Sequence, residues 1–396
     1  MIDFKDMSHK ILARADEIAE EAWETALYIH SHPEDGGEEL ESSGRLVSDL
    51  ERHQFNVTKS YGGMETAFRA EIQGAREGPC LALLAEYDAL GSLGHACGHN
   101  LIGTISTYVG IVLKPLMKGL SGRIAVIGTP GEENLGGKVI MLENGAFEDI
   151  DAALMVHPSN ESRIRLRTLA AQAWEFEFTG KPAHAAAMPW AGVNALDGLI
   201  QMFISIDQLR KQMKPSVRTP GIITYGGEKP NIVPEKAIGQ FSCRGEDYEE
   251  CVDVIMKVKR CAEAAAHASG TKVTWREIAP LYKDYRGNGV MGSLFEKHWV
   301  ELGGDLKKNP DKGQGSLDIG NLSYEFPCLH PTVKIAPFDV ANHTQAFAQY
   351  TASPAAREQM LRSIKTLSLT VLELLCRPDL FDKATQEFKN KIKQKS

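Results

Sequence analysis

Apolar residues recur every three or four positions from Ser8 to His30, at Ile11, Leu12, Ala15, Ile18, Ala22, Trp23 and Leu27. That spacing predicts one amphipathic helix, and Ser43–His53 predicts a second. Three short apolar runs follow, at Cys80–Ala85, Arg123–Gly128 and Ala152–Val156. Each is bounded by turn residues, as expected of strands buried on both faces. Leu101–Met117 and Gly137–Asn144 read as helices between them. Strands alternating with helices imply an α/β fold, a mostly parallel sheet flanked by helices. Ligands of such sheets collect at the carboxyl ends of the strands.

The pattern changes after about Leu169. Ala173–Thr179 sets Trp174, Phe176 and Phe178 against Glu175 and Glu177, the alternation of a half-exposed strand, here read as a sheet edge. A helix at Val193–Met213, strands at Gly221–Tyr225 and Lys236–Cys243, a helix at Tyr248–Ser269 and a strand at Thr271–Glu277 complete an antiparallel α+β set. Helices at Asn288–Leu302 and Ala355–Cys376 then resume the first pattern. The expectation is a discontinuous catalytic domain, 1–169 and 282–396, with an inserted lid and dimerisation domain at 170–281.

Composition narrows this picture. Of 396 residues, 43% are hydrophobic and 24% charged, an ordinary folded globular chain. A net charge of −8 disfavours nucleic acid and anionic membrane as partners. No run of apolar residues approaches the roughly 20 that span a bilayer. Met1–Lys10 lacks the apolar core of a signal peptide. Seven scattered cysteines fit reduced thiols better than a disulfide framework. The expected location is the cytoplasm. The lysine-rich stretch Lys389–Ser396 reads as a solvated tail or a frayed helix end.

Candidate chemistry gathers where the three apolar runs end. Glu86-Tyr87-Asp88 and Gly94-His95-Ala96-Cys97-Gly98-His99-Asn100 follow the first. Cys97 and His99 flank a glycine, and a thiolate with an imidazole suits zinc and similar metals. Gly128-Thr129-Pro130-Gly131-Glu132-Glu133 follows the second run. Adjacent side chains diverge, so one acid can bind metal while the other moves protons. His157 ends the third run, and His184 and His343 complete the histidine candidates.

These clusters resemble the co-catalytic metallopeptidase and amidohydrolase family of carboxypeptidase G, aminoacylase and hippurate hydrolase. The most specific pieces are His-Ala-Cys-Gly-His, Gly-Thr-Pro-Gly-Glu-Glu, Gly180-Lys181-Pro182-Ala183-His184-Ala185 and Asn231-Ile232-Val233-Pro234, in that order. The resemblance implies that Cys97, His99, Glu133, His157 and His343 hold two divalent metal ions. Zinc or manganese would be bound, with cobalt and nickel as alternatives. It implies Glu132 as general base, Asp88 as the acid orienting a ligand, and His184 as the lid histidine that polarises the scissile carbonyl. Asn231 and Arg244, with His184, would hold the substrate, and the lid domain would pair two copies into a homodimer. Cys97 falls where many relatives carry a bridging aspartate, and Glu86 where they carry a histidine. Glu86-Tyr87-Asp88-Ala89-Leu90-Gly91 and Asn100 depart from the acyl-amino-acid hydrolases and favour the aminobenzoyl-glutamate and dipeptidase-like branch.

The expected reaction is cleavage of an amide in a small N-acyl amino acid, aminobenzoyl-glutamate-like compound or dipeptide. Two rivals use the same residues. One removes an amino group from an aromatic amine at the same metal centre. The other is a thiol hydrolase with Cys97 as nucleophile and His99 as base.

Overall fold

A computed structural model describes residues 4–307 and 315–393. The first three and last three residues of the chain, the latter within the proposed tail, lie outside the described residues. The chain forms two compact units. The smaller comprises Thr168–Tyr285 with 315–320, and the larger the remainder.

The larger unit opens with α1 (Phe4–Glu17), α2 (Ala19–Ser31) and α3 (Leu40–Arg52). The single helix expected over Ser8–His30 is broken at Ile18, where φ is −99° and ψ is 8°. One kinked residue keeps the buried face continuous, so the spacing alone does not reveal the break. Then come β1 (Asn56–Lys59), β2 (Phe68–Gln73), β3 (Arg76–Ala85), α4 (His99–Met117), β4 (Ser121–Gly128), α5 (Gly137–Glu143), β5 (Ala152–Leu154) and β6 (His157–Ser159).

The smaller unit holds β7 (Ala170–Thr179), α6 (Ala195–Arg210), β8 (Gly221–Tyr225), β9 (Lys236–Gly245), α7 (Tyr248–Ser269) and β10 (Lys272–Glu277). After α8 (Gly289–Glu301), the one-turn α9 (Ile319–Leu322) carries the chain back to the larger unit. That unit closes with β11 (Cys328–Leu329), β12 (Thr332–Lys334), α10 (Gln345–Tyr350), α11 (Pro354–Cys376) and α12 (Pro378–Lys393).

The main sheet has the order β1-β2-β4-β3-β5-β11. Its β4, β3, β5 and β11 run parallel, with Leu83 opposite both Val126 and Leu154. At one edge β1 and β2 are antiparallel, so the sheet is mixed. Its central helix, α4, is long and apolar enough to cross a bilayer, yet 83% of that stretch is buried inside the unit. Leu101, Ile105, Tyr108 and Val112 pack there with Leu81, Leu83 and Val126 from the sheet and Leu367 and Val371 from α11. Burial of this size drives the fold, each large aliphatic contributing about 1.5–3 kcal/mol.

In the smaller unit the order is β10-β7-β9-β8, antiparallel throughout. Phe176, Phe178 and Phe241 bury against Leu199 and Met202 of α6 and Val254 and Val258 of α7. Asn194 and Asp247 cap these two helices through their side chains. The expected edge position of Ala173–Thr179 is corrected: β7 is an interior strand, paired on both sides. Alternation reports which face is solvated, not which strand lies at the edge. The true edges are β8 and β10.

Candidate metal centre

Three strand ends of the main sheet deliver the first residues of the site. Beyond β3 the chain places Glu86 and Asp88, beyond β4 Glu132 and Glu133, and beyond β5 His157. Between β3 and α4, Gly98 takes a left-handed φ of +85°, and a Cβ there would sit 2.4 Å from Pro158 Cγ. Only glycine fits, and the turn it makes brings Cys97 and His99 to the head of α4. His343 comes from much later in the chain. Its amide donates to the Ala96 carbonyl at 2.9 Å, and its φ is +64°. That left-handed conformation is uncommon for a residue with a side chain and is often found at ligand sites.

The ligand-type atoms converge in three overlapping groups: Cys97, His99 and His157; Cys97, Glu133 and His343; and His99, Glu132 and Glu133. Within each group they lie within 4.8 Å of one another. Cys97 Sγ is 3.4 Å from His157 Nε2, and His343 Nε2 is 3.3 Å from Glu133 Oε1. The histidine tautomers are set from behind. His157 Nδ1 donates to the Pro158 carbonyl at 2.6 Å, and His99 Nδ1 pairs with Asp88 Oδ1 at 2.8 Å. Both turn Nε2 toward the centre, the usual arrangement of a metal-binding imidazole held by an outer partner. Asp88 also accepts the Glu133 amide at 3.0 Å through its other oxygen, so one buried carboxylate ties two strand ends together.

Electrostatics shows how tense this arrangement is. Burial pushes the Cys97 thiol far above its usual pKa, and the nearby Glu133 carboxylate adds to this. Burial pulls His157 down to about 4. Burial also opposes charge on His99, but Asp88 and Cys97 together outweigh it and raise that imidazole well above its ordinary value. Burial opposes charge on Glu133, but His343, His99 and Cys97 together outweigh it and draw the carboxyl down to about 2. Among the described residues, His99 Nε2 and Glu133 Oε1 are buried with no hydrogen-bond partner. A buried polar atom left unpaired is costly. Divalent cations would satisfy both atoms and stabilise Cys97 as a thiolate. The sulfur, nitrogen and oxygen donors fit zinc-like metals.

The other sequence candidates, His184, Asn231 and Arg244, lie in the smaller unit. His184 and Asn231 come together there, the Ala185 amide donating to the Asn231 carbonyl at 3.1 Å. His184 Nδ1 accepts from the amides of Ala186 and Ala187 at 3.3 and 3.2 Å. Arg244 sits in β9, its backbone paired with Arg218.

Sequence reasoning missed Lys138 and His330. Lys138 is fully buried, its Nζ 2.5 Å from Glu86 Oε1. His330 is buried beside His157, with ring centroids 5.5 Å apart and the rings tilted by 40°. A lysine two residues into a glycine turn carries no sign of burial, because its partner lies 52 positions earlier (138 − 86).

Comparison with known proteins adds independent findings. A family model described as a peptidase dimerisation domain matches residues 170–269. The Xaa-Arg dipeptidase of Mus musculus is 34% identical over 403 residues, covering 98% of this chain and 93% of that protein. One of the two p-aminobenzoyl-glutamate hydrolase polypeptides of Escherichia coli (strain K12) is 34% identical over 284 residues, 66% of this chain and 57% of that protein. Among solved structures, a dinuclear metal-binding M20 peptidase from Bacillus subtilis shares the fold. Its TM-score is 0.65 at 17% identity, covering 90% of this chain and 99% of the other.

Proposed function

This chain belongs to the M20 family of metallopeptidases and amidohydrolases, and on that premise we propose that it hydrolyses the amide bond of a small dipeptide or dipeptide-like N-acyl amino acid at a two-metal centre. It is a metal-dependent hydrolase acting on C–N bonds, as its dipeptidase and amidohydrolase relatives are. The observation that carries the finer reading is the convergence of Cys97, His99, Glu133, His157 and His343, with Glu132 beside them.

Cys97, His99 and His157 would hold one ion, and Cys97, Glu133 and His343 the other. Cys97 belongs to both groups, so its sulfur would be within reach of either ion. The bound ions, zinc or manganese, supply Lewis acidity, lowering the pKa of water and polarising a carbonyl. Glu132 takes a proton from the attacking water and delivers it to the departing nitrogen. Asp88 fixes His99 and the Glu133 backbone in place. His184 would donate from Nε2 to the carbonyl oxygen, since its Nδ1 is committed to backbone amides. Asn231 and Arg244 would hold the substrate carboxylate.

The dipeptide class is preferred because the relative matched over nearly its whole length is a dipeptidase. The test is metal analysis of purified protein together with hydrolysis of a panel. That panel should include dipeptides ending in arginine or another basic residue, aminobenzoyl-glutamate and acyl amino acids. Turnover of dipeptides with two ions per chain is expected, and a metal-replete protein that cleaves no amide overturns the reading.

We also infer a homodimer formed through the smaller unit. The matched dimerisation domain lies there, edge strand β8 exposes Ile222, Ile223 and Tyr225, and α6 exposes Ile200 and Ile204. Exposed apolar residues on an open edge invite pairing with a second copy.

A further inference from the structure

Glu132 and Glu133 sit on a turn three of whose amides are held from outside. Thr129 N donates to the Ala85 carbonyl at 2.7 Å. Glu133 N donates to Asp88. Gly131 N donates to Glu39 Oε1 at 2.8 Å. Ala85 belongs to the sheet, and Asp88 orients the proposed ligand His99. Glu39, 92 positions before Gly131, has no part in either.

Glu39 is completely buried. Its second oxygen accepts from Gly37 N and from Thr66 Oγ1, both at 2.8 Å. The contact is close as well as polar. A Cβ on Gly36 would lie 2.6 Å from Gly131 Cα and 2.1 Å from Asn134 Oδ1. The segment before α3 is therefore pressed against the turn. A buried carboxylate is expensive, and a single amide could be satisfied by a neutral acceptor. Three donors converging on Glu39, one of them in the turn, give this carboxylate a specific task.

We propose that Glu39 is a positioning residue of the hydrolytic centre: by accepting the Gly131 amide it fixes the Pro130–Glu133 turn, so that Glu133 faces the ions while Glu132 faces the reacting water. This rests on the roles given above to Glu132 and Glu133. With the turn released, both acids keep their chemistry and lose their aim. A misplacement of about 1 Å near reacting atoms can lower a rate on the order of 100-fold.

Substituting Glu39→Gln isolates the bond. The amide oxygen can satisfy Gly37 and Thr66 together only by occupying the second oxygen's place. Its NH2 group then confronts the Gly131 N–H, donor against donor. The holoenzyme is compared with E39Q, with E39D, which keeps the charge but withdraws it by one methylene, and with D49N. Asp49 is a buried carboxylate on α3, the helix that follows Glu39, and it is held by Thr25, Tyr108, Arg45 and Arg52.

Hydrogen exchange of the 128–136 peptide reads the turn directly, without reference to activity. In E39Q and E39D it should accelerate by about tenfold or more, the loss of roughly one buried hydrogen bond. On the preferred dipeptide, kcat should fall about 10- to 100-fold with KM nearly unchanged. D49N should lose thermal stability yet leave both readouts near wild type. Unaltered exchange and kcat in the Glu39 variants overturn the proposal. So does a D49N that moves both readouts as far as E39Q in step with its thermal stability. If wild-type protein cleaves no amide, the functional reading fails, while the exchange data still decide whether Glu39 holds the turn.

Discussion

At Cys97 a buried thiol faces His157 across 3.4 Å and takes part in two ligand groups. Burial keeps that thiol protonated far above neutral pH, which suits a sulfur that ionises when it binds a cation. It does not suit a free nucleophile, which needs a depressed pKa. Cys97→Ser should therefore lower bound metal below two ions per chain, measured by elemental analysis; full occupancy would remove Cys97 from the ligand set. Glu132→Gln should keep both ions and lose about 100- to 10,000-fold in kcat, a split visible by pairing kinetics with metal content.

His95 offers a test that can be run without bound metal. It is buried, its Nε2 bonds the Ile29 carbonyl at 3.0 Å, and burial lowers its pKa from 6.5 to about 3. The folded state holds His95 neutral, while the unfolded chain takes up a proton near pH 6.5. Its contribution is thus complete above that pH and is lost as pH falls toward 3. His95→Gln keeps a donor for Ile29 but cannot be protonated. Below pH 6.5 wild type should lose stability relative to H95Q by up to about 1.4 kcal/mol per pH unit. Parallel stability curves from denaturant titrations of the metal-free proteins would contradict this.

At the scale of elements, legibility in the sequence follows the physics of burial. The core of the sheet was readable because β3, β4 and β5 are buried on both faces and spell unbroken apolar runs. The antiparallel pair β1 and β2 was not. Asn56–Lys59 is polar, and β2 carries Arg69, whose guanidinium is held by Asp149 and Glu71. The strand ends bearing Glu132, Glu133 and His157 were visible as polar clusters after those runs. His343 needed the family resemblance, because nothing local joins it to Ala96.

The turn from β4 to α5 is the tightest of these elements. A Cβ on Gly137 would lie 1.7 Å from the Pro130 carbonyl oxygen. Gly137→Ala should destabilise the larger unit by roughly 1–3 kcal/mol and reduce kcat, seen in the melting temperature and in turnover. An alanine variant with wild-type stability and rate would show that the turn yields freely.

For the whole molecule, division of labour is the main feature. The larger unit brings together the proposed ligands and Glu132, while the smaller carries His184, Asn231 and Arg244. If the exposed strip on α6 and β8 pairs two copies, light scattering at micromolar concentration should give the mass of a dimer. Ile204→Lys combined with Ile222→Lys should give the monomer, and an unchanged mass would place the interface elsewhere.

Amide hydrolysis by this chain should depend on two ions held by Cys97, His99, Glu133, His157 and His343. This dependence is tested most directly by titrating metal-stripped protein with zinc or manganese while following dipeptide hydrolysis. Turnover should be absent without metal and should reach a plateau at two ions per chain. Undiminished hydrolysis by the stripped protein, or full activity at a stoichiometry that Cys97→Ser leaves unchanged, would contradict the dependence.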